Sequence, residues 1–227
     1  MDAAPSALIK VSWKTSFGGV PFEGPNAAIG GVCGTVFALS SDIVLTASHH
    51  LDDLWRPHDG FDDFDVWIGH ADGSHQLLQN GCFEHFEGFD IARIDCRPPA
   101  ARFAASKKAY EDVTEGLCLG YEANTAPFAC GVSGKRIVLK DLALERSLIP
   151  FAPTSAARKV IECRAADVFI DQKRGYLLQH PATVGLSGGP MVDSADCSAI
   201  AVCCLGLPAD VHEKHTVGAV DLRDLPI

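Results

Sequence analysis

The sequence predicts an all-β fold assembled from short strands, of the sandwich or barrel type. Apolar runs of about four to eight residues recur between turn-forming residues, whereas runs with helical periodicity are scarce. The chain also has 21 glycines and 13 prolines in 227 residues, and both residue types favour turns. A hydrophobic content of 47% is enough for one compact unit or two small subdomains with substantial cores.

The predicted strands in the first part of the chain end before a pair of prolines. A turn at 40–42 joins two of the predicted strands in a hairpin, and the aspartate-rich segment 51–65 is predicted to be a surface loop. Pro98 and Pro99 close this part because prolines cannot continue a strand ladder. The predicted strands are 7–13, 34–39, 43–47, 66–68, 81–86 and 90–94.

A second group of strands follows a linker. Residues 100–115 show no strand alternation, so we predict that they connect two halves, 1–104 and 105–227. For residues 142–148, a helical turn is the alternative to a strand. The predicted strands of this half are 117–120, 137–144, 168–170, 176–179 and 199–205.

Charge and hydropathy argue against two classes of partner. The net charge is −10 and no run is rich in Lys or Arg, so we expect no binding to nucleic acid. No stretch approaches the ~20 apolar residues of a membrane span, so we expect no membrane association. The N-terminus lacks a basic segment followed by an apolar one, so no signal peptide is expected and the predicted location is cytoplasmic.

The nine cysteines are an odd number and include no CxxC pair, so reduced thiols in the core are the expected state. A zinc site at His212 and His215 is disfavoured because no thiolate pair lies at chelating spacing. A solvated acidic loop is favoured over a calcium site for the aspartates at 59, 62, 63 and 65. We therefore expect no metal and no cofactor.

Three separated motifs supply the residue types of a proton-relay system. Ser187 lies between glycines in 185–190 (GLSGGP), His49 follows an apolar strand, and Asp90 opens another. A serine hydroxyl needs a base to act as a nucleophile, and an imidazole oriented by a carboxylate is such a base. The predicted roles are attack by Ser187, proton transfer by His49 and orientation of His49 by Asp90. The order His, Asp, Ser is one in which such triads recur.

Glycine at position 185 predicts a sharp backbone turn beside the nucleophile. Such a turn can direct amide groups toward a negatively charged oxygen that develops during attack. We predict that the amides of Gly185 and Ser187 form this oxyanion hole.

These motifs resemble those of the trypsin-like (chymotrypsin-fold) serine peptidases. The matching segments are 45–49 (LTASH), 90–92 (DIA) and 185–190 (GLSGGP), and 34–37 and 117–121 resemble strands of the same family. The resemblance covers nearly the whole chain. It implies two antiparallel Greek-key β-barrels with the active site in the cleft between them. It also implies a serine endopeptidase that forms an acyl-enzyme with a protein or peptide substrate.

Two departures from the family pattern have consequences. Leu186 stands where the family usually has the aspartate that pairs with a newly cut N-terminus, so no zymogen cleavage of that kind is expected. The oxyanion loop must then be held by packing or ordered by an activating partner. His50 replaces the cysteine that usually follows the histidine, so Cys33 lacks its customary disulfide partner, which fits a reducing compartment.

The resemblance also suggests where substrate specificity lies. Pro181 stands six residues before Ser187, where family members that cut after Lys or Arg have an aspartate, so no such preference is expected. An apolar or small pocket is favoured, and the alternative is a pocket in which His180 or His215 favours an acidic or polar residue. Leu205 and Gly206 are expected to pair with substrate backbone. The predicted substrate-binding residues are Pro181, Ala182, Thr183, Cys204, Leu205 and Gly206.

Two other functions compete with an active peptidase. A catalytically idle peptide-binding module of the same fold would result if Leu186 left the oxyanion loop collapsed. An α/β-hydrolase esterase also fits the GxSxG pattern. That fold needs a helix directly after the serine, and Gly188-Gly189-Pro190 starts a helix poorly.

Overall fold

The computed structural model confirms the all-β fold class. It describes residues 4–13, 16–17, 20–21, 28–51, 63–79, 81–86, 88–127, 135–150, 172–180, 185–207 and 216–227. Within these ranges the chain forms sixteen strands and three short 3-10 turns, with no α-helix.

The first half forms an antiparallel sheet that places His49 beside Asp90. The sheet order is β7-β6-β1-β4-β5-β9-β8, and β2 and β3 form a separate hairpin. Ala47, the last residue of β5, pairs with Ile91, the first residue of β9. Because the two strands are antiparallel, the residues just after β5 lie next to the residue just before β9. The strands are β1 (Ser6–Trp13), β2 (Ser16–Phe17), β3 (Val20–Pro21), β4 (Ala28–Ala38), β5 (Val44–Ala47), β6 (Asp63–Gly69), β7 (His75–Leu78), β8 (Phe83–His85) and β9 (Ile91–Ile94).

The second half forms a closed barrel in the order β10-β12-β13-β16-β15-β14. The loop that carries Ser187 leads directly into β14, so the barrel fixes the C-terminal end of that loop. The strands are β10 (Glu115–Glu122), β11 (Asn124–Pro127), β12 (Lys135–Pro150), β13 (Gln172–Gln179), β14 (Pro190–Asp193), β15 (Ala199–Leu207) and β16 (Thr216–Asp221).

Contacts between the halves are extensive. β11 leaves the second half and pairs with the N-terminal part of β4, from Asn124 opposite Val32 onward. Arg102 bridges to Ala38 in the first sheet, whereas Ala105 bridges to Ala199 in the barrel. These bridges lie on either side of position 104, where the sequence predicts the boundary between the halves.

The largest hydrophobic cluster also spans both halves. It includes Phe37, Leu45 and Ile91 from the first sheet and Leu119 and Val220 from the barrel, each at most 5% exposed. Burial of such a side chain stabilises the fold by about 1.5–3 kcal/mol relative to exposure. The site between the sheets therefore rests on a shared core.

Several predicted elements need correction. Residues 142–148 lie inside β12, where 142–143 pair with β10 and 144–148 pair with β13, so the helical-turn alternative is wrong. Residues 63–65, predicted to belong to a loop, begin β6 because they pair with the end of β1. The predicted strand 168–170 lies outside the described residues. No prediction was made for β7, β11, β14 or β16.

Candidate active site

His49 and Asp90 form a two-point contact. His49 lies in a 3-10 turn, Ser48–His50, that follows β5 directly. Its ring Nδ1 lies 2.6 Å from Oδ2 of Asp90, and its backbone amide donates to Oδ1 at 2.9 Å. Because a carboxylate only accepts, Nδ1 carries the proton in this pair, so Nε2 is the acceptor nitrogen of a neutral ring.

The two side chains are about three-quarters buried, with 26% of His49 and 24% of Asp90 exposed. A substrate can therefore reach the ring edge while the protein still holds the carboxylate. The backbone carbonyl of Asp90 accepts the amide of Ser48 at 3.1 Å, which ties the two segments together once more.

A third polar pair supports the histidine turn. Ser48 is fully buried, and its Oγ lies 2.9 Å from Nδ1 of His85 in β8. Ser48 lies in the segment 45–49, but the motif gave it no role, and no motif in the sequence pointed to His85. Only the pairing of β8 with β9 brings His85 beside the turn.

The loop that carries Ser187 requires glycine at two positions. Gly185 has φ +98 and Gly188 has φ +84, a left-handed region that other residues rarely adopt. A Cβ on Gly185 would lie 2.3 Å from the carbonyl oxygen of Tyr121. The amide of Gly188 donates to the carbonyl of Cys203 at 2.6 Å, which fastens the loop to β15.

The same loop packs against the strand that carries His49. A Cβ on Gly188 would lie 2.5 Å from Oγ1 of Thr46 and 2.8 Å from the amide nitrogen of Ala47. Ala47 is two residues before His49, so the structure brings the predicted serine, histidine and aspartate segments to one junction. Ser187 itself is partly exposed there.

The two amides predicted for the oxyanion hole lie in this loop. In the described part of the chain, neither Gly185 nor Ser187 donates its amide to another protein group.

Leu186 is held by packing. It is only 2% exposed and belongs to a core cluster of the barrel with Tyr176, Leu178 and Met191. Its Cδ1 would lie 2.9 Å from a Cβ on Gly120, so the missing side chain at 120 makes room for it. The Leu186 side chain therefore contributes packing that holds this loop against the barrel.

The structure describes three of the six predicted substrate-binding residues. Pro181, Ala182 and Thr183 lie outside the described residues. Leu205 and Gly206 lie in β15 and pair on one side with Gly218 and Val217 of β16. On the other side, β14 pairs with β15 only as far as Val202, so within the described residues no strand covers that edge at 205–206.

Cys204 requires a correction. Its side chain is 3% exposed and belongs to the core cluster shared by the two halves, so its thiol does not line an open pocket. Burial, and after it the negative charge of Asp90, raises the pKa of Cys204 well above its ordinary value. The thiol is therefore a neutral neighbour of the carboxylate.

His50 stands where the resembling family has a disulfide-forming cysteine, so Cys33 lacks the partner that the family pattern would give it. None of the seven described cysteines is in a disulfide, and Cys130 and Cys163 lie outside the described residues. The His50 ring is buried so closely against Gly34 that a Cβ there would lie 2.5 Å from it. His50 thus fills the space beside the backbone next to Cys33.

Most of the side chains considered for a metal site lie outside the described ranges. These ranges contain no group of three or more His, Cys, Asp or Glu side chains placed to hold a metal ion. Asp59, Asp62, His212 and His215 lie outside them. Within the same ranges, no helix has the length and apolarity needed to cross a membrane.

Comparison with known proteins finds likeness in structure only. No family model and no curated protein matches the sequence. The active form of the Rv3671c protease from M. tuberculosis matches with a TM-score of 0.54 at 14% identity, over 96% of this chain and 77% of that chain. The HtrA-type protease AlgW, solved with a decapeptide, matches with a TM-score of 0.57 at 13% identity, over 97% of this chain and 61% of that chain.

The inactive form of the Rv3671c protease is also similar, with a TM-score of 0.52 at 14% identity, over 96% of this chain and 84% of that chain. Likenesses at such low identity establish the fold. This chain has the two-barrel, chymotrypsin-type fold of these trypsin-like and HtrA-type serine proteases.

Proposed function

We propose that this chain is a serine endopeptidase that hydrolyses peptide bonds through an acyl-enzyme on Ser187. One observation carries the proposal: the Asp90 carboxylate holds both the ring and the backbone of His49, in the turn that follows β5, the strand against which the Ser187 loop packs. A carboxylate in this position fixes the tautomer that a histidine base needs and stabilises the cation that the base becomes.

The mechanism follows from the protonation of this pair. Nε2 of His49 accepts the hydroxyl proton of Ser187 as Oγ attacks the scissile carbonyl carbon. The amides of Gly185 and Ser187 stabilise the resulting oxyanion. His49 then donates the proton to the leaving amine, and the acyl group stays on Ser187. A water molecule, deprotonated by His49, then attacks the ester carbonyl carbon. The bond to Ser187 Oγ breaks, Oγ takes the proton back from His49, and the second product leaves.

The edge of β15 supports a binding mode for the substrate. An extended peptide can add to an uncovered strand edge through backbone hydrogen bonds. The edge at Leu205 and Gly206 directly follows the part of β15 that holds the Ser187 loop. A peptide paired there would run past Ser187. AlgW, which shares the fold, was solved with a decapeptide, and this supports a peptide substrate.

We further propose that the enzyme has no preference for Lys or Arg, because Pro181 carries no negative charge. An apolar or small pocket is favoured. A pocket assisted by His180 or His215 would instead select an acidic or polar side chain, and a library of peptides that differ at one position would distinguish the two.

The first test is labelling by a fluorophosphonate probe, with Ser187→Ala as the matched control. We expect covalent labelling of the wild type and none of the variant. Labelling of neither protein, with both folded, would overturn the proposal in favour of a peptide-binding module without turnover. Burial of Leu186 supports the active alternative, because an idle module would require a collapsed loop.

A further inference from the structure

Thr35 is a fully buried polar residue of β4 with four hydrogen bonds. Its Oγ1 accepts the amide of Tyr121 at 3.1 Å and donates to the carbonyl of Gly185 at 2.8 Å. Its own amide donates to the carbonyl of Ser187 at 2.9 Å, and its carbonyl accepts Oγ1 of Thr46 at 2.8 Å. Every polar group of Thr35 therefore has a partner.

The partners of Thr35 include both residues of the predicted oxyanion hole. Gly185 and Ser187 are expected to direct their amides at the oxyanion, and Thr35 holds the carbonyl of each of them. A carbonyl fixed by a hydrogen bond restricts the backbone torsions of its residue. This restriction matters most at Gly185, which has no side chain and lies at φ +98.

Leu186 and Thr35 anchor the loop to different halves of the fold. The Leu186 side chain is anchored in the barrel core, whereas Thr35 belongs to the first sheet. Gly120 leaves space for both contacts, because a Cβ there would lie 2.8 Å from Oγ1 of Thr35 and 2.9 Å from Cδ1 of Leu186. The loop is thus fixed where the two halves of the fold meet.

We propose that Thr35 is a positioning residue that keeps the oxyanion hole formed. The proposal rests on the proposed peptidase function. The Thr35 hydroxyl helps to order a loop in which Leu186 replaces the aspartate of the resembling family. It acts through its hydrogen bond to Gly185 and does not touch substrate. Its contribution is made in the transition state, where the oxyanion develops, so its loss lowers kcat more than it changes KM.

The test compares Thr35→Val, which removes only the hydroxyl, with Thr35→Ser, which keeps it. We expect Thr35→Val to lower kcat and the rate of fluorophosphonate labelling about 10- to 100-fold, with KM within about 2-fold, and Thr35→Ser to stay within about 3-fold of the wild type. Tyr121→Phe is the matched control, because it removes another buried hydroxyl, bonded to the carbonyl of Pro5. It should label at nearly the wild-type rate.

A second measurement does not depend on catalysis. Amide hydrogen exchange in a peptide that contains residues 185–189 should be at least about 10-fold faster in Thr35→Val and unchanged in Tyr121→Phe. If Thr35→Val fails to fold, Thr35→Cys takes its place, and it should label more slowly than Thr35→Ser because a thiol is a weak hydrogen-bond donor and acceptor.

The outcomes separate the two proposals. Absence of labelling in the wild type contradicts the peptidase function, and unchanged exchange in 185–189 contradicts the role of Thr35 even then. Wild-type labelling together with equal labelling of Thr35→Val, or an equal loss in Tyr121→Phe, overturns the positioning role alone.

Discussion

The carboxylate of Asp90 contacts His49 at two atoms: Oδ2 lies 2.6 Å from the ring Nδ1, and Oδ1 accepts the backbone amide at 2.9 Å. One side chain therefore fixes both the position of the turn and the orientation of the ring. The antiparallel register of β5 and β9 makes this contact possible, since it places the residue after one strand beside the residue before the other.

The first prediction concerns this contact. An Asp90→Asn variant keeps the shape but turns an amide NH₂ or a weaker acceptor toward Nδ1, which favours the wrong tautomer of His49. We expect kcat at pH 7 to fall by about 10⁴-fold while the fold is retained. Steady-state hydrolysis of a peptide substrate measures this. Asp42→Asn, at an exposed turn, is the control, and a loss of less than about tenfold in Asp90→Asn would contradict the assigned role.

The second prediction compares two glycines with nearly equal φ angles. Gly188 (φ +84) would place a Cβ 2.2 Å from the carbonyl oxygen of Thr35, whereas Gly73 (φ +82) has open space within 4 Å. Gly73→Ala incurs only the backbone penalty of about 1–2 kcal/mol. Gly188→Ala must also move the backbone of β4 or of the loop, so we expect a larger loss of unfolding free energy and loss of fluorophosphonate labelling.

Urea denaturation of both alanine variants measures the difference. Equal losses of unfolding free energy would show that the close approach of the loop to β4 is absent in solution. Retained labelling in Gly188→Ala would lead to the same conclusion.

The sequence predicts some parts of this molecule better than others for physical reasons. Strands such as β5 and β9 consist mainly of buried apolar residues, with Thr46 and the exposed Arg93 as the exceptions, so composition alone identifies them. β7 (HQLL) is short and largely exposed, and its structure comes from its pairing with β6. The contact of β11 with β4 likewise depends on partners that lie about 90 residues away in the chain.

The residues of the candidate site also differ in how far the sequence alone predicts them. Motifs identify His49, Asp90 and Ser187 because the chemistry requires those residue types. Thr35 escaped prediction because a threonine in an apolar strand has no signature until its partner Gly185, 150 residues away, is placed beside it. Cys204 was predicted to bind substrate, but only the packing of β15 shows that its side chain faces the core.

The third prediction concerns Leu186, at the position where the resembling family has an aspartate. Leu186→Asp would bury a carboxylate in an apolar cluster without a partner, which is costly, so we expect loss of labelling and strong destabilisation. Leu186→Met preserves the volume and should cost less than about 1.5 kcal/mol. Labelling and urea midpoints of the two variants test this. An aspartate variant that is as stable and reactive as the wild type would show that packing does not hold the loop.

The last prediction concerns the C-terminal turn. Asp224 accepts the backbone amide and Nε of Arg174, both at 2.8 Å, and so ties the end of the chain to β13. Burial raises the pKa of Asp224, but the hydrogen bonds and charge of Arg174 outweigh burial, and the net pKa lies below its usual value. A depressed pKa in the folded state means that the ion pair stabilises the fold above the unfolded pKa of about 4. This stabilisation is lost as the pH falls through the lower folded pKa.

Asp224→Asn should therefore reduce the unfolding free energy by about 1 kcal/mol at pH 7, a modest value because Arg174 is partly exposed and solvent screens the pair. The difference from the wild type should shrink as the pH is lowered from 5 to about 3. Urea denaturation at each pH measures it, and Arg174→Gln, which removes the other partner, should show the same trend. An equal loss of unfolding free energy at pH 5 and at about pH 3 would mean that the carboxylate contributes through its shape and not through its charge.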